Sequence, residues 1–208
     1  MKVFYSPHSP FVRKVLVVAH EVGLFDRIEL LTSAAGPVTR DAHIVASNPL
    51  GQVPTFFTDD GTMLADSRVV CEYLNDLAKA SVYPVSGERR FAVLTEHSLA
   101  DGLLNAALLA RYERILRPAE KQWDDWYEGQ FAKVRSVIDY FDSAAATLEG
   151  RVDIATITLA CALAYLDHRY PDYDWRTGRD ALAAWHRRFS DRPSMQDTKY
   201  GVDRVAAA

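Results

Sequence analysis

The sequence predicts two domains, a small α/β domain followed by an all-helical domain. Short strand-like apolar runs alternate with helical periodicity over the first third of the chain. Ser, Pro and Gly then concentrate at residues 81–87, and only helical spacing of apolar residues recurs beyond them. We therefore assign residues 1–78 to the α/β domain, 79–87 to a linker and 88–208 to the helical domain.

The first domain is predicted to run in the order strand, helix, strand, helix, hairpin, helix. Apolar residues recur one helical turn apart over 11–22, and a turn sequence, Asp59-Asp60-Gly61, separates two short apolar runs. The predicted strands span 2–5, 28–31, 53–57 and 62–64, and the predicted helices span 11–22, 39–46 and 67–77.

The second domain is predicted to be a helical bundle. Asp153 is a favourable N-cap for one of its helices, with Thr156 three residues later and Val152 and Ile157 placed as a hydrophobic staple. Trp123 is expected in the core because it shares helical spacing with later apolar residues.

Composition excludes several classes of function. With 49% apolar and 25% charged residues over 208 positions, the chain is expected to be soluble and globular. The net charge of −4 gives no indication of a nucleic-acid or membrane partner. There is no signal-peptide core, no membrane-spanning apolar run and no zinc-ligand spacing, so we expect a cytoplasmic protein without a metal. Cys71 and Cys161 are expected to be buried thiols.

Ser9 is the first candidate for a residue that takes part in a reaction. Ser9-Pro10 follows the first predicted strand, and Ser at the N-cap with Pro at the first helical position is an ordinary helix start. The same placement would let the hydroxyl and the helix N-terminus hold a sulfur anion and lower the pKa of its thiol.

Two further pairs could bind an amino-acid-like ligand. The Val53-Pro54 bond, if cis, would turn the Val53 backbone toward an extended peptide, whereas a trans bond would suit an ordinary edge strand. Asp66 and Ser67 can simply cap the next helix, or they can hold an ammonium and a carboxylate.

Together these residues resemble the glutathione transferase family. The likeness is carried by Ser9-Pro-Phe-Val-Arg-Lys14, by Asn48-Pro-Leu-Gly-Gln-Val-Pro54 and by Leu64-Ala-Asp-Ser67, and continues at 161–167 and 192–194. Within the family, the chain is similar to a bacterial, serine-type group. The resemblance implies a thioredoxin-like domain followed by a helical domain, usually a homodimer, with glutathione as co-substrate and detoxification as a common role.

The resemblance also implies residue roles. Ser9 would activate the glutathione thiol, Val53 would pair with the cysteinyl backbone ahead of a cis Pro54, and Gln52, Asp66 and Ser67 would hold the backbone and the γ-glutamyl end. Asp66 departs from the glutamate that is common at its position, which shortens its reach. Asp101 resembles a position that reaches the partner subunit's glutathione in some members.

Tyr5 is the alternative to Ser9, because tyrosine-type members take the activating hydroxyl from the end of the first strand. Arg13 is expected to pair with a neighbouring acid. A second-substrate cleft between the domains is expected to involve Tyr5, Phe11, Asn105 and Tyr112.

The predicted function is conjugation of the glutathione thiolate to a small hydrophobic electrophile. A glutathione-dependent isomerase would need the same thiolate and remains an alternative. A non-catalytic binding protein of the same fold is the third hypothesis, since fold alone does not imply catalysis.

Overall fold

The computed structural model describes residues 1–205, which form two compact units. The first unit contains residues 1–83 together with 193–205, and the second contains residues 84–192. The first unit is thioredoxin-like, with a small mixed sheet and flanking helices, and the second is all-helical. The predicted fold class is therefore confirmed. The units differ from the predicted domains in one respect, because the C-terminal segment packs with the first unit.

The sheet of the first unit has the strand order β2-β1-β3-β4. Strands β1 and β2 are parallel, as expected for a strand–helix–strand connection, and β3 and β4 run antiparallel to their neighbours. The elements of this unit are β1 (Lys2–Phe4), α1 (Pro10–Glu21), β2 (Glu29–Leu31), α2 (Ala42–Val45), β3 (Thr55–Phe57), β4 (Met63–Ala65), α3 (Ser67–Leu77) and, near the C-terminus, α8 (Pro193–Gln196).

Helices α1 and α3 pack against each other. Val12, Val15 and Leu16 of α1 are buried, as are Val70 and Leu74 of α3. Both helices begin at the same end of the unit as the carboxyl end of β1. The N-termini of two helices therefore lie at this end, where they can bind an anionic ligand.

The helical unit consists of α4 (Glu88–Ile115), α5 (Asp124–Ser143), α6 (Ile154–Arg169) and α7 (Asp180–Ser190). Helix α4 packs along both α5 and α6. Helix α6 is apolar around most of its circumference and lies in the core of this unit, where Ile157, Cys161 and Leu163 are fully buried. None of the described helices is long and apolar enough to span a membrane.

The N-terminus of α6 carries the predicted cap in its complete, reciprocal form. The Asp153 carboxylate accepts hydrogen bonds from the amides of Ala155 and Thr156, each at 3.1 Å, and the Thr156 hydroxyl accepts one from the Asp153 amide at 3.0 Å. The capping box is therefore complete with Asp at the N-cap and Thr at the third helical position, although its common form has Ser or Thr at the N-cap and Glu or Gln at the third position.

The prediction that Trp123 is a core residue is wrong. Its side chain is 61% exposed, and the residue lies just before α5, where its amide donates to the Glu113 carboxylate at 2.8 Å. In the sequence, the helical spacing of apolar residues begins at Trp123, which is one residue before the first residue of α5.

The C-terminal segment is held by the first helix of the N-terminal unit. The buried Arg13 guanidinium donates to the Met195 carbonyl at 3.1 Å and lies 4.3 Å from the centroid of the Tyr200 ring. In the described residues Arg13 forms no ion pair with an acid, so the expected acidic partner is replaced by a carbonyl and an aromatic face.

Candidate functional site

Three candidate segments leave the sheet at the same end. Val3 pairs with Phe56 in an antiparallel ladder, and Thr55 pairs with Ala65 in the next one. The end of β1, the start of β3 and the end of β4 are therefore adjacent. Ser9 follows the first, Val53-Pro54 precedes the second, and Asp66-Ser67 follows the third.

Ser9 is the N-cap of α1. Its hydroxyl oxygen accepts a hydrogen bond from the Val12 amide at 3.2 Å, and Pro10 occupies the first helical position. The residue is half-buried. Because the hydroxyl accepts from the helix, its proton is available for donation to a ligand.

Tyr5 occupies a different environment. It is 5% exposed, and its hydroxyl donates to the Val202 carbonyl at 2.5 Å. Burial raises the pKa of Tyr5, although Arg204 acts in the opposite direction. A phenol has one proton to donate, and that proton is engaged by the C-terminal segment.

Val53 lies immediately before β3, and the Val53–Pro54 bond is cis, as the resemblance implies. Gln52 is exposed, whereas Pro54 is buried. Thr55 anchors this loop, because its hydroxyl donates to the Gln52 carbonyl at 2.6 Å and accepts from the Asn48 amide group at 2.8 Å. These bonds fix the backbone that presents Val53.

Gly51 is required by the same loop. Its φ is +62°, and a Cβ at this position would lie 2.9 Å from Cγ2 of Val45. Both the backbone conformation and the close approach to α2 therefore favour glycine.

Asp66 and Ser67 form the start of α3. The Asp66 carboxylate accepts from the Arg68 amide at 2.8 Å and lies 3.4 Å from Nε of Arg68. Although burial acts in the opposite direction, the hydrogen bond from the Arg68 amide lowers the pKa of Asp66. Asp66 is about half exposed, while Ser67 is 3% exposed, with its hydroxyl 3.5 Å from the Asp66 carboxylate.

Lys14 also belongs to this region, although the sequence analysis did not predict a role for it near Asp66. Its side chain is fully buried, with Nζ 5.7 Å from the centroid of the Phe11 ring, and its positive charge contributes to lowering the pKa of Asp66. Sequence alone gave no signal, because lysine is normally a surface residue.

The proposed second-substrate residues fall in both units. Phe11 is half-buried in the N-terminal unit, Asn105 is exposed on α4, and Tyr112 is half-buried on the same helix. Asp101 is buried and lies 3.3 Å from His97 one turn earlier, which does not favour contact with a partner subunit. Within residues 1–205, no group of His, Cys, Asp or Glu is arranged to hold a metal.

The fold and the motifs define a member of the glutathione S-transferase class, and comparison with known proteins agrees. The family model described as the glutathione S-transferase N-terminal domain matches residues 8–77, and the C-terminal domain model matches residues 104–188. The chain is 31% identical to the uncharacterized GST-like protein YibF of Escherichia coli, over 96% of this chain and 98% of that protein. The chain belongs to the glutathione S-transferase family.

Two solved structures show the same architecture. A glutathione transferase family member from Pseudomonas fluorescens with bound glutathione is 42% identical, with a TM-score of 0.93, and covers 97% of this chain and 99% of its own. A glutathione S-transferase from Methylobacillus flagellatus with glutathione bound is 32% identical, with a TM-score of 0.84, and covers 96% and 98% respectively.

Proposed function

We propose that this protein is a glutathione transferase that conjugates the glutathione thiolate to a small hydrophobic electrophile, with the Ser9 hydroxyl donating to the thiolate. The observation that carries the proposal is the strand register, which brings Ser9, Val53 and Asp66-Ser67 to one end of the sheet. A protein of the same fold that does not bind glutathione would not require these three groups at the same end of the sheet.

Glutathione would lie across this end in an extended form. The backbone of Val53 would pair with the cysteinyl residue as an added strand. In the described residues, no backbone hydrogen bond to the Val53 amide or carbonyl competes with this pairing. Gln52 would contact the ligand backbone, Ser67 and the N-terminus of α3 would receive the γ-glutamyl carboxylate, and Asp66 would receive the ammonium.

The sulfur would then lie near the N-terminus of α1. The Ser9 proton, the first amides of this helix and the buried charge of Lys14 favour an anion. The thiol loses its proton to solvent, and the thiolate forms a new C–S bond with the electrophile. In a substitution the carbon–leaving-group bond breaks and the leaving group departs as an anion; in an addition the C=C π bond breaks and the adjacent carbon takes a proton from solvent. The engaged hydroxyl of Tyr5 supports Ser9 as the activating group.

Related structures support this chemistry. Two of them hold glutathione, and the Pseudomonas protein is also known with S-(propanoic acid)-glutathione, a thioether of glutathione. An isomerase would use the same thiolate and remains the second candidate. Thiol–disulfide chemistry is disfavoured, because serine stands where that reaction would need a cysteine.

We also propose that the protein is a cytoplasmic homodimer. Large apolar side chains that are exposed in the single chain support dimerisation, among them Leu50 at 66% and Phe91 at 70%. A monomeric mass in sedimentation would contradict it.

Ultraviolet titration of bound glutathione tests the role of Ser9. We expect Ser9→Ala to raise the pKa of the bound thiol and to lower kcat/KM by about 100-fold, a usual loss for a donor that stabilises a reacting anion. Tyr5→Phe is the matched control, because it removes a hydroxyl from the same unit and should leave the thiol pKa unchanged. A change of only a few-fold in Ser9→Ala, or an equal effect of Tyr5→Phe, would overturn the assignment.

A further inference from the structure

A cavity lies beside strand β2 in the first unit, and the proposed function does not use it. Its volume is about 360 Å³, which is within the usual range for small-molecule sites. The residues that line it come from α1, from β2 and the segment that leads into it, and from the C-terminal segment, namely Leu16, Phe25, Ile28, Glu29, Leu30 and Arg204. We refer to it as the β2 cavity.

The β2 cavity and the candidate glutathione site lie at opposite edges of the sheet. In the strand order β2-β1-β3-β4, β1 separates β2 from the two strands next to Val53 and Asp66. Along α1, Leu16 comes seven residues after Ser9, which is about 10 Å along the helix axis. A ligand in the β2 cavity would therefore not occupy the positions proposed for glutathione.

Apolar side chains form most of the wall of the β2 cavity. Leu16 and Ile28 belong to the core, with 2% and 8% of their surface exposed, whereas Phe25 and Leu30 are half-buried. Two of these walls are held in place, because Leu30 belongs to the parallel ladder with β1 and the Phe25 ring lies 5.5 Å from that of His20. Water against such walls is unfavourable, so an apolar body that displaces it is favoured.

Arg204 adds an unpaired positive charge to this lining. In the described part of the chain its guanidinium forms no ion pair, and it donates to the carbonyls of Lys199 and Val202 at 3.4 Å each, which is long for a hydrogen bond. Glu29, the other charged residue of the lining, is paired with Lys2 at 2.9 Å. An anion would give Arg204 a shorter and stronger bond than either carbonyl does.

Neighbouring groups do not compensate the charge of Arg204. Asp203 precedes it, but the Asp203 carboxylate accepts from the Val205 amide at 3.1 Å and forms no ion pair among residues 1–205. The Val202 carbonyl has a closer donor, since the Tyr5 hydroxyl lies 2.5 Å from it. An exposed arginine alone would not indicate a site. Arg204 differs because it lines a cavity whose other walls are mostly apolar.

We infer that the β2 cavity binds a small amphiphilic carboxylate, such as a medium-chain fatty acid, with its carboxylate on Arg204 and its aliphatic chain against Leu16 and Ile28. The unpaired charge selects an anion, and the apolar walls select an organic body over an inorganic ion. The inference goes beyond the proposed function and does not depend on it, because the cavity shares no residue with the candidate glutathione site.

Isothermal titration calorimetry of the full chain with octanoate tests the cavity. Saturating S-hexylglutathione is present throughout, so that the proposed glutathione site and the cleft for the second substrate are filled. We expect octanoate to bind with a stoichiometry of one per chain. Hexanoate should bind about 15-fold more weakly, because each of the two missing methylenes contributes a factor of about four. The neutral 1-octanol should bind about tenfold more weakly than octanoate.

Substitutions of Arg204 identify the cation that binds the carboxylate. We expect Arg204→Gln to raise the Kd for octanoate about tenfold and to leave the Kd for 1-octanol unchanged, whereas Arg204→Lys should keep most of the affinity. Lys199→Gln is the matched control. It removes one positive charge from an exposed position of the same segment and keeps the backbone carbonyl to which Arg204 donates.

The outcomes separate the cavity from the glutathione site. Octanoate binding that persists with S-hexylglutathione and weakens in Arg204→Gln but not in Lys199→Gln supports the inference. Absence of saturable octanoate binding to the wild type overturns it, as does displacement of octanoate by S-hexylglutathione or an equal effect of the two variants. Failure of S-hexylglutathione itself to bind contradicts the proposed function alone, because octanoate binding that depends on Arg204 would still establish the cavity as a site.

Discussion

Ser67 illustrates how one side chain can serve both a helix and a ligand. It begins α3 and is 3% exposed, with its hydroxyl 3.5 Å from the Asp66 carboxylate. In isolation this is an ordinary helix start. Next to Val53 and Ser9 at the same end of the sheet, the hydroxyl and the first amides of α3 form the receptor that we propose for the γ-glutamyl carboxylate of glutathione.

Removing this hydroxyl should therefore weaken glutathione binding. We expect Ser67→Ala to raise the Kd for glutathione about tenfold or more, because a hydrogen bond to a charged group contributes about 1.5–3 kcal/mol. Isothermal titration calorimetry measures the change. Ser143→Ala is a suitable control, since that exposed hydroxyl donates only to the Tyr140 carbonyl of its own helix. Equal affinities for wild type and Ser67→Ala would show that the serine only caps the helix.

At the level of single residues, the sequence could identify donors but not their partners. The type and position of Ser9 were enough to propose a cap and an anion contact. Nothing in the sequence indicated that Tyr5 would donate to a carbonyl 197 residues later, or that the charge of buried Lys14 would act on Asp66. Such contacts depend on tertiary packing, which local patterns do not encode.

Among the elements, α6 depends most on its N-terminal cap. Asp153 is 4% exposed, caps two amides and also lies 2.9 Å from Arg151, which in turn pairs with Glu96. Because α6 fills the core of the helical unit, fraying of its first turn would expose apolar surface and leave buried amides without acceptors.

Asp153→Ala should lower the free energy of unfolding by about 2 kcal/mol, which is at the upper end for a cap because the residue is buried. Urea denaturation followed by tryptophan fluorescence is the appropriate measurement, since all four tryptophans lie in the helical unit. Thr156→Val, which removes the reciprocal bond and the donation of the Thr156 hydroxyl to the Asp153 carbonyl but keeps the Asp153 cap, should cost about 1 kcal/mol. If Asp153→Ala lowered the free energy of unfolding by no more than Thr156→Val does, the prediction that the Asp153 carboxylate is the more important part of the cap would be wrong.

Element boundaries were predictable where a local signal marks them. Helix α3 spans Ser67–Leu77 as predicted, because Asp66 and Ser67 are favourable capping residues and apolar spacing covers the whole helix. Trp123 shows the opposite case. It fits the apolar spacing of α5, but its backbone is extended and its amide bonds to Glu113, so the helix starts one residue later.

For the whole molecule, the main departure from the sequence prediction is the C-terminal segment. Residues 193–205 were assigned to the helical domain because they follow it along the chain, yet they pack with the N-terminal unit. The contacts are long-range: Gly201 donates its amide to the Pro7 carbonyl at 2.9 Å, and Ser194 donates to Glu21 at 2.5 Å. No periodicity or composition signal distinguishes a terminal segment that returns to the first unit from one that does not.

This return contact makes the C-terminus a support for the loop that carries Ser9. A chain ending at Arg192 would leave the buried guanidinium of Arg13 without the Met195 carbonyl and would free Pro7 from Gly201. We expect such a chain to melt several degrees lower, because a buried charged donor without its acceptor costs about 1–3 kcal/mol and each kcal/mol corresponds to about 2–4 °C at this size. Glutathione affinity should fall as well. Differential scanning calorimetry of the full-length and the truncated chain measures the melting temperature, and isothermal titration calorimetry of the same two chains measures the glutathione affinity.

The full-length Arg13→Gln variant separates loss of this anchor from loss of the segment as a whole. It should reproduce much of the decrease in melting temperature, because Arg13 contacts both Met195 and Tyr200. Val202→Ala should behave as the wild type, since Val202 meets Tyr5 through its backbone carbonyl and its side chain is 45% exposed. If the truncated chain kept the wild-type melting temperature and glutathione affinity, the segment would be only a passive tail, and the Ser9 loop would owe its position to the sheet and α1 alone.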